Sequence, residues 1–177
     1  MTNQEKFSNA VFKFLTQVEV LDKDNAEDLY VTEDGKQTEL GFCIPVYDSD
    51  VNLVVCPDIN TKDIFLSLSD GPIDDIAFIL EGLIEQAKTE RHHWHAVTKA
   101  EINELNADGI YGFFYNKLRF VDLFESIDDQ FEYGGKTYNV KAVMYLSKKE
   151  TECYFEDEDN FYEMVKSKDP LKFSQLN

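Results

Sequence analysis

Four consecutive positions, His92, His93, Trp94 and His95, hold all three histidines and the only tryptophan of the chain. Imidazole is a frequent metal ligand and general base, so chemistry is sought here first. On an extended strand His93 and His95 share one face, and His92 and Trp94 share the other. His93 and His95 could then supply half of a tetrahedral zinc site, with carboxylates or Cys153 completing it. That arrangement would suit a small metal-dependent hydrolase built on the His92–His95 cluster. No second pair of ligands stands at metal spacing, and Trp94, Ala96 and Val97 suit a strand packed on the preceding helix. The residues therefore read as the exposed start of a strand. The expectation is no catalytic residue, no metal and no cofactor, with His93 and His95 retained as metal candidates.

Other catalytic sets are missing. The chain has no G-x-S-x-G, Walker A, G-x-G-x-x-G, H-E-x-x-H or C-x-x-C, so no nucleophile elbow, phosphate loop or paired-thiol site is predicted. Asp22, Asp24 and Glu33 fall at positions 1, 3 and 12 of a calcium-loop frame. Ala26 and Glu27 stand where that loop needs an oxygen ligand and a glycine, which rejects it. Cys43 and Cys56 sit in apolar runs and read as small buried residues without a nearby cation to lower a thiol pKa.

Charge carries more information. Against 17 Lys and Arg stand 35 Asp and Glu, a net charge of −18 over 177 residues. Such a surface repels phosphate backbones and anionic lipid, so direct nucleic-acid and membrane binding are not expected. It attracts a basic partner, with a salt-dependent rate. Two windows lack any Lys or Arg: Phe120–Gly135, with Asp122, Glu125, Asp128, Asp129 and Glu132, and Glu150–Glu163, with seven acids. Clustered like charges repel one another, a cost that a basic partner would relieve. Tyr154, Phe155, Phe161 and Tyr162 lie among them, and such aromatics anchor interfaces. The predicted partner-binding set is Asp128, Asp129, Glu132, Glu152, Glu156, Asp157, Glu158, Asp159 and Tyr162.

These features predict an acidic inhibitor or neutraliser of a basic partner protein, of the toxin-immunity or phage anti-defence type. It would act by steric and electrostatic occlusion of a nucleic-acid-acting toxin or defence protein. A homodimer through an exposed sheet edge is a further class. The N-terminus has no basic region followed by an apolar stretch, and no window reaches the length of a membrane span, so a cytoplasmic location is expected.

The elements that must position these residues follow from periodicity. Phe7, Val11, Phe14, Leu15 and Val18 recur at helical spacing behind a Thr2–Glu5 capping box, predicting a helix from Asn3 to Val18. Asp34-Gly35 and Gly134-Gly135 mark hairpin turns, and Pro45 suggests an edge strand or a bulge. Ile73 to Ala87 reads as a helix capped by Ser69 or Asp70. Leu118–Phe124 reads as a strand and Asn160–Ser167 as a final helix. Segments 94–117 and 143–166 both run from strand to capping box, at Thr98–Glu101 and Ser147–Glu150. The pattern is short for a repeat, so it reads as a recurring strand-to-helix junction rather than a duplication. The expected architecture is a single α+β domain over 1–177: a mostly antiparallel sheet of five to seven strands with three or four helices.

Overall fold

In the structure, a computed structural model that describes residues 1–89, 96–117 and 124–173, Thr2 and Glu5 do begin a helix. The Thr2 hydroxyl accepts the Glu5 N–H at 3.1 Å, and the Glu5 carboxylate accepts the Thr2 N–H. Two otherwise unpaired amides are satisfied, a gain of about 1 kcal/mol for a cap of this kind. Helix α1 runs Asn3–Leu15 and stops short of Val18. Thr16 turns its hydroxyl onto the Phe12 carbonyl at 2.8 Å, and Val18 enters the core from the turn that follows.

A meander comes next: β1 (Glu27–Glu33), β2 (Lys36–Pro45), β3 (Asn52–Val55) and β4 (Asp63–Ser69). Asp34 and Gly35 turn the first hairpin with φ of 50° and 74°, the geometry a two-residue turn needs to match strand twist. Pro45 marks neither an edge strand nor a bulge. It closes β2, an inner strand, opposite Asn52, beyond the last β1 pairing at Cys43, so its missing N–H breaks no ladder bond. The bulge lies instead beside Leu40, where pairing jumps from Gly41 to Glu39. Gly41 is required there, because an added Cβ would meet the Val55 carbonyl at 2.0 Å.

The sheet continues through β5 (Ala96–Lys99), β6 (Gly112–Lys117), β7 (Gln130–Tyr133) and β8 (Lys136–Leu146), in the order β1-β2-β3-β4-β8-β6-β5. β7 pairs with the first half of β8, and β6 pairs with the second half. Every pairing is antiparallel except β4 with β8. The protein is thus α+β, with eight strands among the described residues, one above the expected range. It has five α-helices there rather than three or four: α1, α2 (Ile73–Thr89), α3 (Asn103–Ala107), α4 (Lys148–Glu156) and α5 (Glu158–Val165). Most of the strand predicted at Leu118–Phe124 lies outside the described residues. β6 precedes it, in an aromatic run too uniform to show strand alternation.

Alternation along β4 and β8 divides the core between two faces. Ile64, Leu66, Tyr138, Val140 and Ala142 pack with Phe7, Val11 and Leu15 of α1, whereas Phe65, Val143 and Tyr145 pack with Ile76, Leu80 and Leu83 of α2. Met144 and Leu146 continue the first face and receive α4 and α5. The α2 face holds a buried ion pair between Asp63 and Lys141, 3.1 Å apart, with the Phe65 and Tyr115 rings flanking the ammonium. Burial holds the Lys141 ammonium below its usual range although Asp63 opposes this.

The same face is closed by the chain's last described residues. Asp70 was a predicted helix cap. Its carboxylate instead accepts the Phe173 N–H at 2.9 Å and pairs with Lys172 at 3.0 Å. Phe173 packs edge-on to Tyr145 and over Gly71, where an added Cβ would stand 2.3 Å from its ring. Ser69 caps the Gly71 N–H.

Candidate functional site

Helix α4 begins where the sequence predicts. The Ser147 hydroxyl accepts the Glu150 N–H at 3.2 Å, and the Glu150 carboxylate accepts the Ser147 N–H at 2.7 Å. Glu150 also pairs with Lys168 at 2.6 Å, both side chains nearly buried. Burial pulls the Lys168 ammonium below its usual range, against the pull of Glu150. Thr151 sits against Gly112 of β6, and a Cβ there would meet its hydroxyl at 2.5 Å, so glycine permits the close approach of helix and sheet. α4 ends at Asp157, which then caps α5 by accepting the Asn160 N–H at 3.2 Å. The acidic stretch is therefore two helices joined at Asp157, not a loop.

Both helices are amphipathic. Phe161 is fully buried, edge-on to Phe114 at 5.4 Å and to Tyr154 at 5.1 Å. Glu152, Glu156, Asp157, Glu158 and Asp159 all face solvent. Among the described residues Glu156, Asp157 and Asp159 make no ion pair. Glu152 is only loosely met by Lys148 at 4.0 Å, and Glu163 pairs with Lys166 at the surface. Tyr162 is half-buried against Phe114, and its hydroxyl donates to Glu158 at 3.0 Å. Burial first, then that hydrogen bond and the Glu158 charge, push its phenol up to about 12. The exposed aromatic of the pair is Phe155, 54% accessible, with the Lys99 ammonium 4.7 Å from its ring centre.

The other predicted residues lie elsewhere. The Asp128 carboxylate accepts the Gln130 N–H, the Asp129 carbonyl accepts the Val140 N–H, and Glu132 accepts the Thr137 hydroxyl. These groups shape the entry to β7 and its hairpin with β8. Val140 stands six residues before Leu146, the last residue of β8, about 20 Å along the strand. The two acidic windows are thus not one site, and α4–α5 is the denser of them. Asp122 lies outside the described residues, as do His92, His93, Trp94 and His95.

Among the described residues no three His, Cys, Asp or Glu side chains are placed to hold a metal. Cys43 and Cys56 are buried as expected. Desolvation pushes their thiols up to about 11 and about 12, with Glu27 and Glu81 adding to it, so neither is poised as a thiolate. Cys153 is half-exposed and receives the Asn160 amide at 3.5 Å.

One feature of the fold departs from the sequence pattern. The predicted Thr98–Glu101 cap does not form. Thr98 and Lys99 still pair with Phe113 and Gly112 as β5, and the Ala100 N–H bonds the Tyr111 carbonyl. α3 starts only after Ile102 and has no side-chain cap. Between that connection and α4 opens a cleft of about 340 Å³, lined by Lys99, Glu101, Asn103, Tyr111, Lys148 and Glu152 among others. A second, more apolar depression of about 260 Å³ lies on the α2 side, with Phe78, Leu83, Ile102 and Leu105. A signal existed: Asp108-Gly109 follows Glu101 so closely that no long helix fits between them.

No family model, characterised protein or solved structure matches the chain. No helix among the described residues is long and apolar enough to cross a membrane.

Proposed function

We propose that this protein binds a basic partner protein through the outer surface of α4 and α5 and neutralises it by occlusion, in the manner of toxin-immunity or phage anti-defence inhibitors. The observation that carries the reading is the set of exposed carboxylates Glu156, Asp157 and Asp159, without an ion pair among the described residues, on the same firmly seated helix pair as exposed Phe155. Dense like charge of this kind is offset when a cationic surface covers it. The molecule as a whole carries a net charge of −18 that would steer such a partner in. Phe155 supplies an apolar centre within a polar rim, the usual anatomy of an interface. A surface evolved to hold nucleic-acid phosphates is a natural match for ranged carboxylates. Covering it blocks substrate both sterically and electrostatically.

Salt-resolved capture on the tagged protein, from the cells that make it, tests this reading. A basic protein should be retained at about 50 mM salt and released by about 500 mM, where the screening length falls to a few ångströms. Retained partners that are acidic, or that ignore salt, would contradict it.

A further inference from the structure

Three aspartates stand directly before a glycine, at Asp34-Gly35, Asp70-Gly71 and Asp108-Gly109. In such a pair the glycine nitrogen can attack the aspartate side chain, because glycine has no Cβ to obstruct the approach. The reaction needs a free carboxyl, a free N–H and room for the backbone to rotate. The fold denies these to two of the pairs. At Asp70-Gly71 both reacting groups are engaged: the Asp70 carboxylate accepts the Phe173 N–H at 2.9 Å and pairs with Lys172 at 3.0 Å, and the Gly71 N–H donates to the Ser69 hydroxyl at 3.2 Å. The Phe173 ring covers the glycine as well. At Asp108-Gly109 the nitrogen is taken. The Gly109 N–H donates to the Asn106 carbonyl at 3.1 Å inside the turn that closes α3, and the Ile110 N–H completes that turn on Leu105 at 2.9 Å.

Asp34-Gly35 has none of this protection. Both residues are exposed at the tip of the β1–β2 hairpin. The Asp34 carboxylate and the Gly35 N–H take part in no hydrogen bond among the described residues. A Cβ at Gly35 would meet nothing within 4 Å, so only the two-residue turn itself resists rotation of the Asp34 backbone. We propose that Asp34 is the site at which this protein isomerises to isoaspartate. The Gly35 nitrogen bonds to the Asp34 Cγ, and the carboxyl oxygen leaves as water with the amide proton, giving a five-membered succinimide. Water then adds to one of the ring's two carbonyls and breaks its bond to nitrogen. Opening at the γ-carbonyl restores aspartate, and opening at the α-carbonyl leaves the main chain running through Cβ and Cγ. The water lost is regained, and no oxidant or cofactor is needed. The product carries one extra main-chain carbon in a turn whose geometry depends on positive φ at both residues, 50° and 74°. The tip of β1 should therefore part from β2, its only partner strand among the described residues. An exposed isoaspartate of this kind is a substrate for methyl transfer from S-adenosylmethionine. The assignment stands apart from the partner-binding face on α4–α5.

The full chain is held near neutral pH at body temperature for several weeks and then digested. Isoaspartyl peptides are separated from their aspartyl twins and confirmed by enzymatic methyl transfer from S-adenosylmethionine. Isoaspartate should accumulate at Asp34 at least about tenfold faster than at Asp70 or Asp108, where reaction must wait for a local opening of the fold. The same chain held unfolded in concentrated guanidinium chloride should react at all three positions at comparable rates, which assigns the selectivity to the structure. Equal accumulation at the three positions of the folded chain, faster reaction at Asp70 or Asp108, or an Asp34 that stays intact while the unfolded chain reacts would overturn the assignment.

Discussion

Two strand-to-helix junctions carry the same four-residue spacing of hydroxyl and glutamate, and they end differently. At Ser147–Glu150 the pattern forms a reciprocal cap, gains an ion pair to Lys168, and starts a nine-residue helix seated on Gly112. At Thr98–Glu101 the hydroxyl residue is still inside β5, held by pairing to β6, and Glu101 is left facing a cleft. A capping box is a local option that sheet hydrogen bonds override when the strand has a partner one residue further on. The closed junction makes a firm platform for clustered charge, and the open one leaves a cleft.

The largest expected effect breaks the closed side. Phe161→Ala removes the buried ring that fastens α5 and should cost about 3–5 kcal/mol in urea unfolding. A loss below about 1 kcal/mol would mean that the helix pair is held by something other than its aromatic underside. Gly112→Ala comes next. The added methyl meets Thr151, and overpacking of this sort costs about 1–3 kcal/mol. An unchanged midpoint would show that α4 can lift without penalty.

The pair itself is compared by Ser147→Ala and Thr98→Ala. The first loses a cap worth about 1 kcal/mol, while the second, which caps nothing, should stay within about 0.5 kcal/mol. Equal losses would erase the distinction between the junctions. The smallest effect is spectroscopic. Tyr162 ionises at 10.0 in the reference state and at about 12 in the fold. Its contribution to stability is therefore complete below pH 10 and is lost as pH rises through about 12. Among the late tyrosinates, the fully buried Tyr145 included, absorbance titration should show one that disappears in Tyr162→Phe and titrates earlier in Glu158→Gln. A titration that is the same in all three proteins would remove the acidic layer's influence on its own aromatics.

Much of the scaffold was legible because local rules governed it. The Thr2 and Ser147 caps, the Asp34-Gly35 and Gly134-Gly135 turns and the amphipathic α2 all follow from residues within one helical turn or one hairpin. What was not legible depends on distant partners. Asp70 looks like a cap until Phe173, about a hundred positions away in the chain, claims its carboxylate. Tyr162 reads as an exposed anchor until Phe114 covers it, leaving Phe155 to fill that place. The separation of Asp128, Asp129 and Glu132 from the α4–α5 acids follows from their places along β8, which composition does not encode. The cleft at Glu101 depends on a cap that fails to form.

Reversing charge where the carboxylates hold at most an exposed ion pair, as Glu163 does with Lys166, tests the outer face of α4–α5 as the binding surface most directly. Asp157 caps α5 and Glu158 holds Tyr162, so both stay. Glu156→Lys, Asp159→Lys and Glu163→Lys are combined, and capture of the basic partner is compared with wild type at low salt, with thermal unfolding run alongside. The triple variant should fold as the wild type does and retain the partner at least tenfold less. Undiminished retention by the folded triple variant would contradict it.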